Sequence, residues 1–212
     1  MTSAKTYAMR SRVPADSLMG RAILSTGVEP GTVVMVSLAA SIPVPILALI
    51  GGPALAGILP LIGIVAICDS AFLLLATRTK DMSRRVLVFA PFVERLTEAA
   101  WLGALWILGV PGWIVVVSGA CCWMYSYVRA RARQVGLNSL GMLTLGERSV
   151  RTIVAGVGFA AAAVSAIAGG PELSTWLPGV VTVTATAWLL VSALGLLQLL
   201  IVVHTALRTN NR

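Results

Sequence analysis

"DSAFLLLATRTKDMSRRVLVFAPFVER", residues 69–95, holds in one stretch the pattern that decides the fold. An apolar run closes at Ala76, a basic segment carries Arg78, Lys80, Arg84 and Arg85, and a second apolar run opens at Val86. Asp69 lies inside the first run and Glu94 inside the second, with Glu98 one helical turn further on. An ionisable side chain within a membrane-spanning helix costs on the order of 2.5–3.5 kcal/mol by insertion scales, which marks it as a functional candidate. The chain therefore poses a question about what holds these acids among apolar residues.

The rest of the sequence says that the runs are membrane spans. Hydrophobic residues make up 58% of the 212 and charged residues 11%, with a mean hydropathy of +0.91. A water-soluble domain of this size has too much polar surface to need so much apolar side chain. Runs approaching the roughly 20 apolar residues that cross a bilayer as helix occur at 32–50, 53–76, 86–108, 110–128, 152–169 and 177–206. The expected fold is thus an all-α integral membrane domain of six transmembrane helices over residues 15–208, between a loose basic segment at 1–14 and a short tail at 209–212. Residues 1–29 contain no uninterrupted apolar core of the kind a cleavable signal carries. Within "PADSLMGRAILSTGVEP", Asp16 offers a helix start and Leu18, Met19, Ala22 and Ile23 an apolar side. This predicts a short amphipathic interfacial helix over about 15–27.

Charge placement orients the domain. Net charge is +8, yet the basic residues gather before the first span, after the second, after the fourth and after the sixth. The loops "GGP", "GVPG" and "GGPELSTW" carry no Lys or Arg. That asymmetry is the positive-inside pattern and predicts cytoplasmic N- and C-termini in the cell membrane, with no nucleic-acid partner. Membrane lipids, through their anionic headgroups, are the expected contact of the basic segments. Arg95 alone falls outside the pattern. Cys68, Cys121 and Cys122 lie within spans without a nearby His and read as packing residues. Gly156, Ala160, Gly158 and Ala162 form small-xxx-small pairs that permit close helix contact, inside the bundle or across a dimer. A channel is disfavoured, because the charges cluster at one end of two helices.

Glu94 and Glu98 share a helix face, with Arg95 adjacent, and Asp69 can meet them from the preceding antiparallel helix. The bland reading is a buried ion network that fixes helix register. Spacing adds a second reading. The segment resembles the signature of the CDP-alcohol phosphotransferase family, D-x-x-D-G-x-x-A-R, eight residues, G-x-x-x-D-x-x-x-D. Counted without a gap, Asp69 takes the first aspartate, Ala76 the alanine and Glu94 the final acid, and "ERLTEAA" resembles the usual continuation. Five positions differ: Phe72 replaces the second aspartate, Leu73 the glycine, Thr77 the arginine, Val86 the later glycine and Ala90 the third aspartate. "GVEPGTVVMVS" at 27–37 resembles the family's approach to its first span. "YSYVRARARQVGLNSLGMLTLGERSVRTIVAGVG" at 125–158 is similar to its actinobacterial phosphatidylinositol phosphate and phosphatidylglycerophosphate synthases.

The resemblance implies a role in glycerophospholipid biosynthesis, a dimer through the spans and a cytoplasmic active-site face. It implies metal ligation by Asp69, Glu94 and Glu98, with Glu94 as catalytic base in an active member. Ser126, Arg129, Arg148 and Arg151 fall on positions that bind the acceptor's phosphate; Gln198 is followed by Leu199 where a further arginine is common. With Phe72 and Ala90 in place of carboxylates, two hard cations lack the oxygens they require. The expectation is therefore a degenerate member without a cofactor, its leftover acids neutralised by Arg95 or Arg78. It would act by binding a lipid or headgroup, or by pairing as a homodimer or with an active homologous transferase. The alternative is a divergent transferase that uses Mg²⁺ or Mn²⁺ to move a phosphatidyl group from CDP-diacylglycerol to a phosphorylated alcohol, releasing CMP.

Overall fold

Proline and glycine punctuate the apolar runs and stand at the starts of several helices. The computed structural model describes residues 17–78, 83–137, 147–167 and 175–210, apart from the side chains of Met19, Ala22, Thr77, Arg78, Thr209 and Asn210. Ser17 caps the first helix: its hydroxyl accepts the Gly20 N–H at 3.0 Å and opens α1, Leu18–Ser25. Asp16 and the segments 1–14 and 211–212 lie outside the described residues.

Pro30 stands in the first turn of α2, Pro30–Ser41, and Pro43 in that of α3, Pro43–Ile50. Both occupy places where the missing N–H would have had no helical acceptor. Gly51, at φ +68°, breaks the chain into a 3₁₀ turn, Gly52–Gly57, which leads into α4, Ile58–Arg78. α5 runs Arg84–Ile107 and α6 Gly112–Gln134. α7 runs Arg148–Ile167 and α8 Leu177–Asn210. Pro91 lies inside α5, where it leaves one carbonyl of the preceding turn without its helical donor.

Two boundaries depart from the sequence expectation in the same direction. α6 continues six residues past 128 and α7 begins four residues before 152, so Arg129, Arg131, Arg133, Arg148 and Arg151 stand on helices rather than in a loop. Hydropathy marks only the part of a helix that hydrocarbon accepts, whereas i→i−4 hydrogen bonding continues past it.

Among the described residues the chain is helical, and four stretches are long and apolar enough to cross a membrane: Pro30–Ile50, Gly52–Ala76, Arg148–Ile167 and Leu177–Arg208. α5 falls short of that measure because Glu94, Arg95 and Glu98 sit near its middle. α6 is diluted by Gly, Ser, Trp and Tyr and ends in arginines. The helices pack as a bundle in which α2 and α3 lie on α5, α4 lies on α2 and α7, and α8 lies between α6 and α7. Its core joins Leu55, Val65, Trp101, Phe159 and Trp188. Trp101 and Trp188 meet edge to face with centroids 6.1 Å apart, a pairing worth about 0.5–1.5 kcal/mol beyond its buried area. Large apolar side chains such as Met35, Ile46, Ile64, Val116, Val157 and Leu190 are exposed on the outside.

The small residues of α7 are used inside the bundle. Gly158 and Ala162 are buried, and a Cβ at Gly158 would overlap the side chain of Thr184 on α8. Gly158→Ala should therefore lower stability by about 1–3 kcal/mol, the usual range for overpacking a tight contact. Gly103→Ala, at a helical glycine with open space around it, should leave stability unchanged or raise it. Thermal unfolding in a common detergent compares the two.

Candidate functional site

The acids of α4 and α5 come together with arginines of α5 and α7 inside the bundle, level with the middle of α5 and the first turn of α7. The placement follows from helix periodicity. Glu94 and Glu98, four residues apart, point from one side of α5, and Arg148 and Arg151, three apart, point from one side of α7. The two elements thus meet as a ladder of two rungs.

The inner rung is fully buried. Glu98 and Arg151 are 1% and 2% exposed, and Arg151 directs both Nε, at 3.1 Å, and Nη2, at 2.5 Å, to Glu98 Oε1. The other carboxylate oxygen, Oε2, accepts Arg95 Nη1 at 2.8 Å. Arg95 also donates through Nη2 to Glu94 Oε2 at 3.2 Å and through Nη1 to the Cys122 carbonyl on α6 at 3.4 Å. The outer rung is half-open: Arg148 Nε donates to Asp69 Oδ2 at 2.7 Å, and its Nη1 stands 4.0 Å from Glu94 Oε2. Asp69 and Glu94 thus share one guanidinium, although they come from different helices.

A second layer fastens the cluster to α6 and α8. Trp188 Nε1 donates to Cys122 Sγ at 3.4 Å, and the Cys122 thiol and Ser192 hydroxyl lie 3.2 Å apart. Arg129 donates to the Tyr125 hydroxyl at 2.9 Å and pairs with Glu147 at 3.7 Å, just before α7.

The candidate residues fall into place as follows. Asp69, Glu94 and Glu98 belong to one cluster, and Arg148 and Arg151 face them directly. Arg148 takes the part expected of Arg95 or Arg78 at Asp69; the Arg78 side chain, like that of Thr77, lies outside the described residues. Ser126 turns its hydroxyl to the Cys122 carbonyl of its own helix at 3.0 Å. Phe72 packs with the apolar group Val33, Cys68, Ala71 and Leu75. Ala90 is buried, Leu73 is half-buried, and Val86 lies against Gly31 at the start of α2. Sequence reasoning missed Glu147 as the partner of Arg129, and Cys122 as the link to α8. The three-residue spacing of Arg148 and Arg151 was the available signal for their pairing with Glu94 and Glu98.

Chemically the site is self-neutralised. Three carboxylates, Asp69, Glu94 and Glu98, face three guanidinium groups, Arg95, Arg148 and Arg151. Among the described residues no group of three or more His, Cys, Asp or Glu side chains is arranged to hold a metal ion. Each of these acids meets an arginine within 4.0 Å. Compared with family models, curated proteins and solved structures, the chain matches none.

Removing one member of a buried pair leaves the other charge uncompensated, at a cost of about 3–5 kcal/mol. Glu98→Ala should therefore destabilise strongly, since two arginines depend on that carboxylate. Asp69→Ala, at a carboxyl that is 28% exposed, should cost clearly less because that carboxyl is in part solvated and Arg148 keeps Glu94 within 4.0 Å. Replacing Glu98 and Arg151 together by Leu and Met should recover part of the single-variant loss. Chemical unfolding of the four proteins in one detergent measures the order.

Proposed function

We propose that the chain is a six-span member of the CDP-alcohol phosphotransferase fold in which guanidinium groups stand where the family holds divalent cations. It serves phospholipid metabolism as a pseudoenzyme of the cell membrane, with the cluster at the cytoplasmic face. It binds a lipid or headgroup, or pairs with an active homologous transferase. The observation that carries this reading is the charge-matched cluster: each acid left in register with the metal motif is met by an arginine.

The physical argument is one of charge and ligand number. Hard divalent cations take six or more oxygen ligands and need several carboxylates to offset their mutual repulsion. Here Phe72 and Ala90 supply no oxygen, and the remaining carboxylates are hydrogen-bonded to arginines. A tethered guanidinium neutralises an acid without presenting a Lewis-acidic centre to a diphosphate.

The six-span topology is supported by the outer faces of α5 and α6. Their 24 and 23 residues correspond to about 36 and 35 Å at 1.5 Å per residue, longer than the roughly 30 Å hydrocarbon core. α5 turns Val88, Phe89 and Phe92 outward, and α6 does the same with Val116, Trp123 and Met124, while Glu98 is turned inward. With six crossings and the basic helix ends gathered on one side, both termini are cytoplasmic.

Calorimetry with Mg²⁺ or Mn²⁺ should find no tight two-site binding, and the purified protein should release no CMP from CDP-diacylglycerol. CMP release that Asp69→Ala abolishes would overturn the reading in favour of a divergent transferase. Restoring Phe72→Asp, Leu73→Gly and Ala90→Asp together with Arg148→Gln should create divalent-metal binding where the native chain has none.

A further inference from the structure

The distribution of charge outside the cluster carries a separate conclusion. With Arg129 and Glu147 included, the ion pairs take up four of the eight acidic residues and four of the sixteen basic ones. The interior is neutral, and the whole net charge of +8 lies outside it. Its described part forms a rim at the end where the cluster opens. Arg84 and Arg85 begin α5, Arg131 and Arg133 end α6, Arg208 ends α8, and Arg21 lies on α1, which is held against α4 by Ile23 and Leu24. All of these except the half-buried Arg133 are exposed. Among the described residues Glu29 is the acid of that end not engaged with the cluster.

The end of α6 shows how the rim is built. Trp123, Met124 and Tyr127 are exposed on its outer face, and Arg131 lies one turn beyond Tyr127. The Arg131 guanidinium sits 5.4 Å from the centroid of the Tyr127 ring, donates through Nε to its hydroxyl at 3.3 Å and through Nη1 to Gln134 Oε1 at 2.9 Å. An aromatic ring of this kind belongs at the boundary between hydrocarbon and headgroups. A cation stacked on it one turn outward is held at headgroup depth, with its side-chain freedom already reduced.

We propose that this rim, centred on Tyr127 and Arg131, is a binding surface for anionic glycerophospholipid headgroups of the leaflet in which that end of the bundle lies. Charge complementarity selects the occupant, and continuity with the apolar outer face selects a lipid over a soluble polyanion. The inference rests on membrane embedding and not on the loss of catalysis, so it stands or falls apart from the pseudoenzyme reading.

The test uses the full-length protein in bilayers of phosphatidylcholine, with spin-labelled phosphatidylglycerol and spin-labelled phosphatidylcholine as probes. The immobilised fraction should favour phosphatidylglycerol, and the preference should fall as salt rises. A juxtamembrane arginine contributes about 1 kcal/mol with an anionic leaflet, or about fivefold in relative association. Arg131→Gln should thus lower the preference about fivefold at the site it lines, while thermal stability in phosphatidylcholine stays that of the native protein. Tyr127→Leu should weaken it with the arginines still present. Equal retention of both probes, or a preference that survives Arg131→Gln undiminished, overturns the proposal. So does a preference abolished equally by a short soluble polyanion at low salt in the native and the Arg131→Gln protein.

Discussion

The structure depends on one carboxylate, that of Glu98. It is 1% exposed, and a charge in such a place persists only if neighbouring donors replace the water it gives up. Arg151 from α7 occupies one of its oxygens and Arg95 from the next turn occupies the other. Because Arg95 also reaches Glu94 and the Cys122 carbonyl, the position of α5 relative to α6 and α7 is set by the same few bonds. Apolar packing between helices tolerates sliding; paired charges in a low-dielectric interior do not, since displacement exposes each to the full cost of being alone.

From that anchor the cluster opens by degrees. Glu98 and Arg151 are sealed, Arg95 and Arg148 are partly covered, and Asp69 and Glu94 reach 28% and 36% exposure. The gradient runs along α5 from Glu98 to Glu94, one turn nearer its start. It also separates two roles. The deep pairs hold the helices in register, whereas the outer pair, Asp69 with Arg148, is the more open to a molecule that passes the basic rim. An acid already bonded to a guanidinium offers that visitor little net field, and this physical fact lies behind reading the site as a disarmed one.

The division of charge between interior and rim has one cause. Inside the bundle each arginine finds an acid because burial penalises any that does not. At the helix ends water and headgroups solvate a cation without a partner, so an excess can accumulate there. The excess of basic residues and the paired cluster are therefore two responses of the same residue types to two media.

Much of the architecture was legible in the sequence. The apolar runs announced the helices and the four-residue spacing of Glu94 and Glu98 placed both on one face, whereas the single run 32–50 is divided at Ile42 into two helices, the second opened by Pro43. Four stretches carry the apolar length that the runs predicted; α5 and α6 do not by composition, because the residues that build the cluster and its surroundings are the ones that dilute them. The partners of the acids were less legible. Arg148 and Arg151 read as part of a basic loop, and only the packing of α7 against α4 turned them to Asp69 and Glu98. Hydropathy and spacing are properties of neighbours along the chain, so the sequence by itself determined that helices form, where they break and which face carries charge. Which charge meets which depends on the relative depth of helices separated by dozens of residues, and the bundle decided that by burying every one of these cations beside an acid.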